Sequence, residues 1–196
     1  MSSLRSISAR LLALSFGLMM MPAGAQQAGE SARNPDWATP MPHVSNLHQV
    51  TPVLYRSAML DRADVTQLQA LGVKTVISLR SFHSDTDVLK DSGIRTVRIP
   101  TNTWAIRDRH VVEAMRSIRA AEQDGPVLLH CLHGADRTGM MTAMYRMLYQ
   151  GWPRDKAIDE LKNGGYGYHA VWRNIEKYLK RVDVEAIRAQ IDQGTP

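Results

Sequence analysis

The stretch "VLLHCLHGADRTGMMTAMYRML", residues 127 to 148, decides how this chain is read, because three kinds of local order meet in it. "VLLHC" (127–131) is a short apolar run of strand length that begins just after Gly125-Pro126. From Arg137 the sequence "RTGMMTAMYRMLYQG" reads as a buried helix. Between them lies a short loop that contains Gly134 and begins at Cys131, the only cysteine in 196 residues. A lone thiol therefore ends a strand, and a helix starts about six residues later.

Working outward, the same alternation recurs. "VLYRS" (53–57), "VKTVISLR" (73–80) and "IRTVRIP" (94–100) are rich in β-formers, the last stopped by Pro100. "DRADVTQLQALG" (61–72) has helical spacing and ends on Gly72. Residues 108 to 124 set Val111, Val112, Met115, Ile118 and Ala121 at helical intervals, and "PRDKAIDELKNGG" and a stretch from about Ala170 are helical too. Strands alternating with helices imply βαβ units. The expected fold is a three-layer α/β domain, with a mainly parallel central sheet of four to five strands flanked by helices. That domain spans 46–190, without an internal repeat. Residues 26–45, rich in Gln, Ala, Pro and Ser, read as a loosely ordered leader into it.

The N-terminus opens with Arg5 and Arg10, an apolar run from Leu11 to Met21, and the small residues Ala23-Gly24-Ala25. This is the pattern of a secretory signal over residues 1–25, cleaved after Ala25, with a retained N-terminal anchor as the alternative; the expected location is the periplasm or outside the cell. The apolar run falls short of the roughly 20 residues that span a bilayer, so no stable membrane insertion is expected after cleavage. The segment carries two of the 24 Lys and Arg residues and none of the 19 Asp and Glu, so cleavage lowers the net charge from +5 to +3. No Lys/Arg run suggests a nucleic-acid groove, and nucleic acid is not expected as a partner. In an oxidising compartment a thiol with nothing to pair with is either buried as a small hydrophobe or chemically useful.

Its position favours chemistry. In open α/β sheets ligands bind beyond the carboxyl ends of the strands. A loop running from such an end into a helix can turn several N–H groups inward as an anion nest, with Gly134 supplying the backbone freedom. Those donors stabilise a thiolate, and Arg137 adds a planar charge suited to gripping two phosphate oxygens. Gly139, in the first helical turn, is expected to let the helix approach the sheet closely. The residue types thus describe a sulfur nucleophile at the floor of an oxyanion cradle.

His130-Cys131, five residues, then Arg137-Thr138-Gly139 resembles the signature loop of the cysteine-dependent protein tyrosine and dual-specificity phosphatases. "LYRSAMLDRADVTQLQALGVKTVISLR" and "MYRMLYQGWPRDKAIDEL" resemble flanking blocks of the small exported bacterial members, so the likeness covers roughly residues 45 to 180. The resemblance implies that Cys131 attacks phosphorus to form a phosphocysteine. Arg137 and the amides of Leu132, His133, Gly134, Ala135, Asp136 and Arg137 would hold the phosphate oxygens. Thr138 would hydrogen-bond the sulfur as it leaves, and His130 would orient the loop. His133, inside the loop, faces solvent or substrate. The substrate implied is a phosphorylated protein, phosphotyrosine first and phosphoserine or phosphothreonine beside it, and no cofactor or metal is implied.

The leaving group needs a proton, so the family carries a general acid on a nearby loop. Asp108, in "TNTWAIRDRH" and 23 residues before Cys131, stands in the usual place, although it also stands where a helix N-cap belongs. Asp136, just before the arginine, is the rival, as in certain lipid-directed relatives. Asp85 and Asp87 come third and are expected to cap a following helix. Trp104 lines the mouth or packs in the core. "NGGYGYHAVW" (163–172) either borders the site or is a Gly C-cap with Tyr166 and Tyr168 packed inside. The competing readings are a phosphoinositide or other small-phosphoester phosphatase, a rhodanese-like sulfurtransferase, a non-catalytic phospho-binding module, and a zinc site on His130, Cys131 and His133.

Overall fold

A computed structural model describes residues 33–194. The signal segment expected over 1–25, its cleavage point and the leader as far as residue 32 lie outside the described residues. In chain order the elements are β1 (Thr39–Pro40), β2 (His48–Thr51), β3 (Leu54–Ser57), a 3-10 turn (Arg62–Asp64), α1 (Val65–Ala70), β4 (Thr75–Ser78) and β5 (Arg95–Arg98). They continue as α2 (Asp108–Glu122), β6 (Val127–His130), α3 (Asp136–Tyr149), α4 (Arg154–Asn163), α5 (Arg173–Arg181) and α6 (Val184–Gln193). Among the described residues no helix is long and apolar enough to cross a membrane.

The strands form one sheet in the order β1-β2-β3-β6-β4-β5. β3, β6, β4 and β5 run parallel, with Ser57 and Ser78 both opposite His130 at the end of β6. These are the four strands expected from the apolar runs. The sheet has six strands where four to five were expected, because β1 and β2 add antiparallel on the outer side of β3. The last part of the expected leader is therefore not loose: Thr39 pairs with Gln49, and the buried Ala38 donates its N–H to Glu160 Oε1 at 2.8 Å. A two-residue strand ending in Pro is too short to show periodicity, which is why it reads as linker.

Alternate residues of the central strand serve opposite layers. Val127 and Leu129 join the core built with α2 to α6, whereas Leu128 joins Val76, Tyr55 and Leu68 on the face covered by α1. α3 is buried along nearly its whole length, packed by β6, α2, α4, α5 and α6. A helix covered on every side must be apolar all round, which accounts for its methionine-rich, non-amphipathic sequence. Gly139 does serve close packing, but against α4 rather than the sheet, since a Cβ there would run into Leu161. The final helical stretch is two helices, the second capped by Asp183, whose side chain accepts from the Ala186 N–H at 3.0 Å.

Candidate active site

The loop 131–135 leaves β6 at the carboxyl edge of the parallel strands and enters α3 at Asp136. Cys131 is buried at its base. Gly134 has φ +69°, and a Cβ there would lie 2.5 Å from the Ser57 carbonyl, so both the turn and the contact with β3 require glycine. The loop's carbonyls are held from outside. Leu132 O accepts from the Met59 N–H at 3.0 Å, His133 O from Asn46 Nδ2 at 2.8 Å, and Gly134 O from the Arg56 guanidinium at 2.6 Å. Among the described residues nothing accepts from the N–H groups of residues 132 to 135. With the carbonyls tied outward, the amides are left for the concave side, the arrangement of an anion nest.

Arg137 is half-buried, and one terminal nitrogen donates to both Leu79 O and Thr101 O at 3.1 Å. It is thereby fastened to the ends of β4 and β5, leaving the rest of the guanidinium for a ligand. Beside it opens a cleft of about 220 Å³ lined by Arg80, Phe82, His83, Trp104 and Leu132. Phe82 and Trp104 are strongly exposed, at 82% and 64%. Trp104 therefore lines the mouth and does not pack in the core. The buried Thr138 hydroxyl makes no hydrogen bond among the described residues, so the contact with sulfur expected of it is not made here.

His130 is fully buried, with Nδ1 3.0 Å from Cys131 O and Nε2 2.8 Å from Asp85 Oδ2. Asp85 caps no helix, because none forms between β5 and the turn that holds it. Burial alone would raise its carboxyl, but the hydrogen bond and charge of His130 outweigh that and hold it below the usual range. This pair, joining residues 45 apart, fixes the ring beside the sulfur and was not visible in sequence.

The two acid candidates are separated. Asp108 is the first residue of α2 and exposed, with Arg107 at the N-cap position, and its Oδ1 accepts from the Tyr178 hydroxyl at 2.7 Å. It is therefore not the helix cap. It lines a neighbouring cleft that shares Trp104 with the Arg137 cleft. Asp136 is buried at the start of α3, and accepts from the His169 N–H and ring, both at 2.9 Å. The segment "NGGYGYHAVW" thus does both things expected of it: Tyr166 is buried, and His169 borders the loop. The zinc trio is not assembled, since His130 turns inward to Asp85 while His133 is exposed.

Arg56 had no role in the sequence reading. It is fully buried behind the loop, its guanidinium 3.7 Å above the Tyr166 ring, and two of its nitrogens have no partner among the described residues. A charged residue inside "VLYRS", a strand buried on both faces, was the signal available.

Residues 48–176 match the family described as "PTP-SAK: Swiss Army Knife protein, DSP-PTPase phosphatase domain". The chain belongs to this family. It is similar to the dual specificity protein phosphatase TpbA of Pseudomonas aeruginosa, 38% identical over 188 residues, which cover 94% of this chain and 84% of TpbA. The crystal structure of that protein superposes with a TM-score of 0.76 at 38% identity, covering 82% of this chain and 99% of the other. A cysteine-to-serine variant of it, crystallised in complex with pTyr, superposes with a TM-score of 0.77 at 37% identity, covering 83% and 99%.

Proposed function

We propose that this protein hydrolyses phosphate monoesters on proteins, phosphotyrosine above all, through a phosphocysteine intermediate. The observation that carries the reading is the loop itself: carbonyls tied outward, amides free, Cys131 at the base and Arg137 braced by Leu79 and Thr101. The pTyr complex of the TpbA variant supports an aryl phosphate as substrate. So does the cleft beside Arg137, where the exposed rings of Phe82 and Trp104 offer an aromatic group an apolar flank.

In this mechanism the Cys131 sulfur attacks phosphorus in line with the scissile P–O bond, which breaks as the S–P bond forms. The amides and Arg137 take the charge of the three equatorial oxygens. Asp108 protonates the departing oxygen. Its support is position, since it ends the segment that carries Trp104 over the cleft and, among the described residues, its side chain bonds only the Tyr178 hydroxyl. Water then attacks the phosphocysteine, and Thr138, whose hydroxyl is uncommitted, turns to the leaving sulfur. His130 and Asp85 position the loop, and Arg56 supplies a buried positive charge behind it. Burial pushes the Arg56 guanidinium down, and Tyr166, Glu160 and Cys131 each push it back up.

The deciding experiment is hydrolysis of an aryl phosphate by the wild-type chain and Cys131→Ser, each with vanadate and with a chelator. Turnover that vanadate blocks, a chelator spares and the variant lacks is expected; chelator-sensitive turnover, or turnover by the variant, would reject the sulfur mechanism. Asp108→Asn beside Asp136→Asn assigns the proton, because only loss of the true acid flattens the basic limb of the pH profile. Export is part of the proposal, supported by the residues of the N-terminal segment. An intact mass of the extracytoplasmic protein that begins at Gln26 is the expected result.

A further inference from the structure

We propose that His133, Asp136 and His169 form a binding site for a divalent transition metal of zinc's class on the rim of the signature loop. Each side chain offers one donor atom, and the three atoms lie within 4.8 Å of one another. His169 Nδ1 is 2.9 Å from Asp136 Oδ2, and the rings of His133 and His169 are neighbours, with centroids 5.5 Å apart and planes tilted by 57°. Two imidazoles and one carboxylate, open to solvent on the fourth side, are the donor set that zinc takes at sites with an exchangeable position.

Hydrogen bonding among the three does not explain the cluster. Asp136 and His169 satisfy one another, but the His133 ring makes no hydrogen bond among the described residues and still turns toward the pair. The carboxylate is oriented beforehand. Its Oδ1 accepts from the His169 backbone N–H at 2.9 Å, and Oδ2 is left toward the imidazoles. The two segments that carry the histidines are braced by one residue, since Asn46 Nδ2 donates to His133 O at 2.8 Å and to Tyr166 O at 2.9 Å. Outer hydrogen bonds of this kind are what hold metal ligands in register.

The fit needs little movement. Zinc takes N and O donors at about 2.0–2.2 Å, which sets tetrahedral neighbours roughly 3.4 Å apart. A gap of up to 4.8 Å therefore closes by at most about 1.4 Å, within reach of ring rotation at two exposed histidines. Asp136 is the first residue of α3 and His169 lies beyond α4, so a bound cation would cross-link the loop–helix junction to the glycine-rich segment 163–170. Cys131 is not a ligand. The site is additional to the phosphatase chemistry, and its existence does not depend on that reading.

The test uses the untagged full chain carrying Cys131→Ser, which removes the sulfur as a competing ligand. Calorimetric titration with zinc chloride at neutral pH should show one saturable site per chain, and zinc should raise the thermal unfolding midpoint. Both effects should disappear when His169→Ala is added and, separately, when His133→Ala is added, with the far-ultraviolet circular dichroism unchanged. Absence of saturable uptake in Cys131→Ser, or uptake that His169→Ala leaves at full strength, would overturn the proposal. Uptake by the wild type that vanishes in Cys131→Ser would overturn it too, in favour of the sulfur. Should His169→Ala unfold, His133→Ala decides alone, because that ring is exposed and makes no hydrogen bond among the described residues.

Discussion

Arg56 and Arg146 are both buried to within 2% of complete exclusion from solvent, and the fold treats them in opposite ways. Arg146, on α3, grips Glu160 with two nitrogens at 2.8 Å each, gives the third to Gln150 at 2.7 Å and lies over the Trp152 ring. Every polar atom of that cation is matched. Among the described residues Arg56, on β3, has one side-chain hydrogen bond, to Gly134 O, and a ring face, while two nitrogens are left without a partner. A matched buried ion pair ties α3 to α4. An unmatched buried cation is expensive unless something other than stability retains it, and this one sits behind the loop that begins at Cys131. Charge is completed where the fold must be held and left open where an anion is to be received.

That contrast can be broken at either end, and the largest effect is expected at the sulfur. Cys131→Ser should reduce aryl phosphate turnover to the level of the buffer blank, because a hydroxyl in the loop is not ionised near neutrality; steady-state assay checks this. Next, Arg146→Met leaves Glu160 buried without its partner and should cost about 3–5 kcal/mol in a urea titration. Arg56→Met removes a cation that stability does not need, so its cost should stay below about 1 kcal/mol. The same variant should slow alkylation of Cys131 by iodoacetamide several-fold. Equal costs for the two methionine variants would erase the distinction between them.

Acid sharpens the same comparison. Burial would raise the Glu160 carboxyl, but the hydrogen bonds and charge of Arg146 win and hold it below its ordinary value of 4.5. A depressed carboxyl contributes stability that is complete above that ordinary value and is lost as pH falls through the lowered one. Urea midpoints of the wild type should therefore fall as the pH is taken from neutrality down to about 3, and the fall should be shallower in Arg146→Met. The smallest effect is at the cleft mouth. Trp104→Ala should raise KM for an aryl phosphate a few-fold and leave that for a small alkyl phosphate unchanged.

The catalytic loop was legible because its parts are adjacent. Cys131, Gly134 and Arg137 fall within seven residues, and a strand–loop–helix pattern around them is enough to turn them toward one centre. The four parallel strands were legible for a similar reason, each being a short local run rich in β-formers. β1 was not, since pairing of Thr39 with Gln49 leaves no periodic trace in two residues. The Asp85–His130 pair, Asn46 bracing two loops and Arg56 under Gly134 join positions 45 to 120 residues apart. Asp85 in particular read as a cap, because a short polar side chain among Ser and Thr has the same local look whether it faces an amide or a buried imidazole.

What the order of residues established was the chemistry available: one thiol at a strand end, one arginine a helical entry later, and an alternation that builds a parallel sheet. Short-range sterics and backbone hydrogen bonding suffice for that, because they act between neighbours. Which carboxylate meets which partner was decided by packing. Only when α3 sank among its neighbours did Asp136 reach His169, Asp108 reach Tyr178 and Arg56 lose its water. Those encounters depend on where distant segments close, and no local pattern encodes the distance.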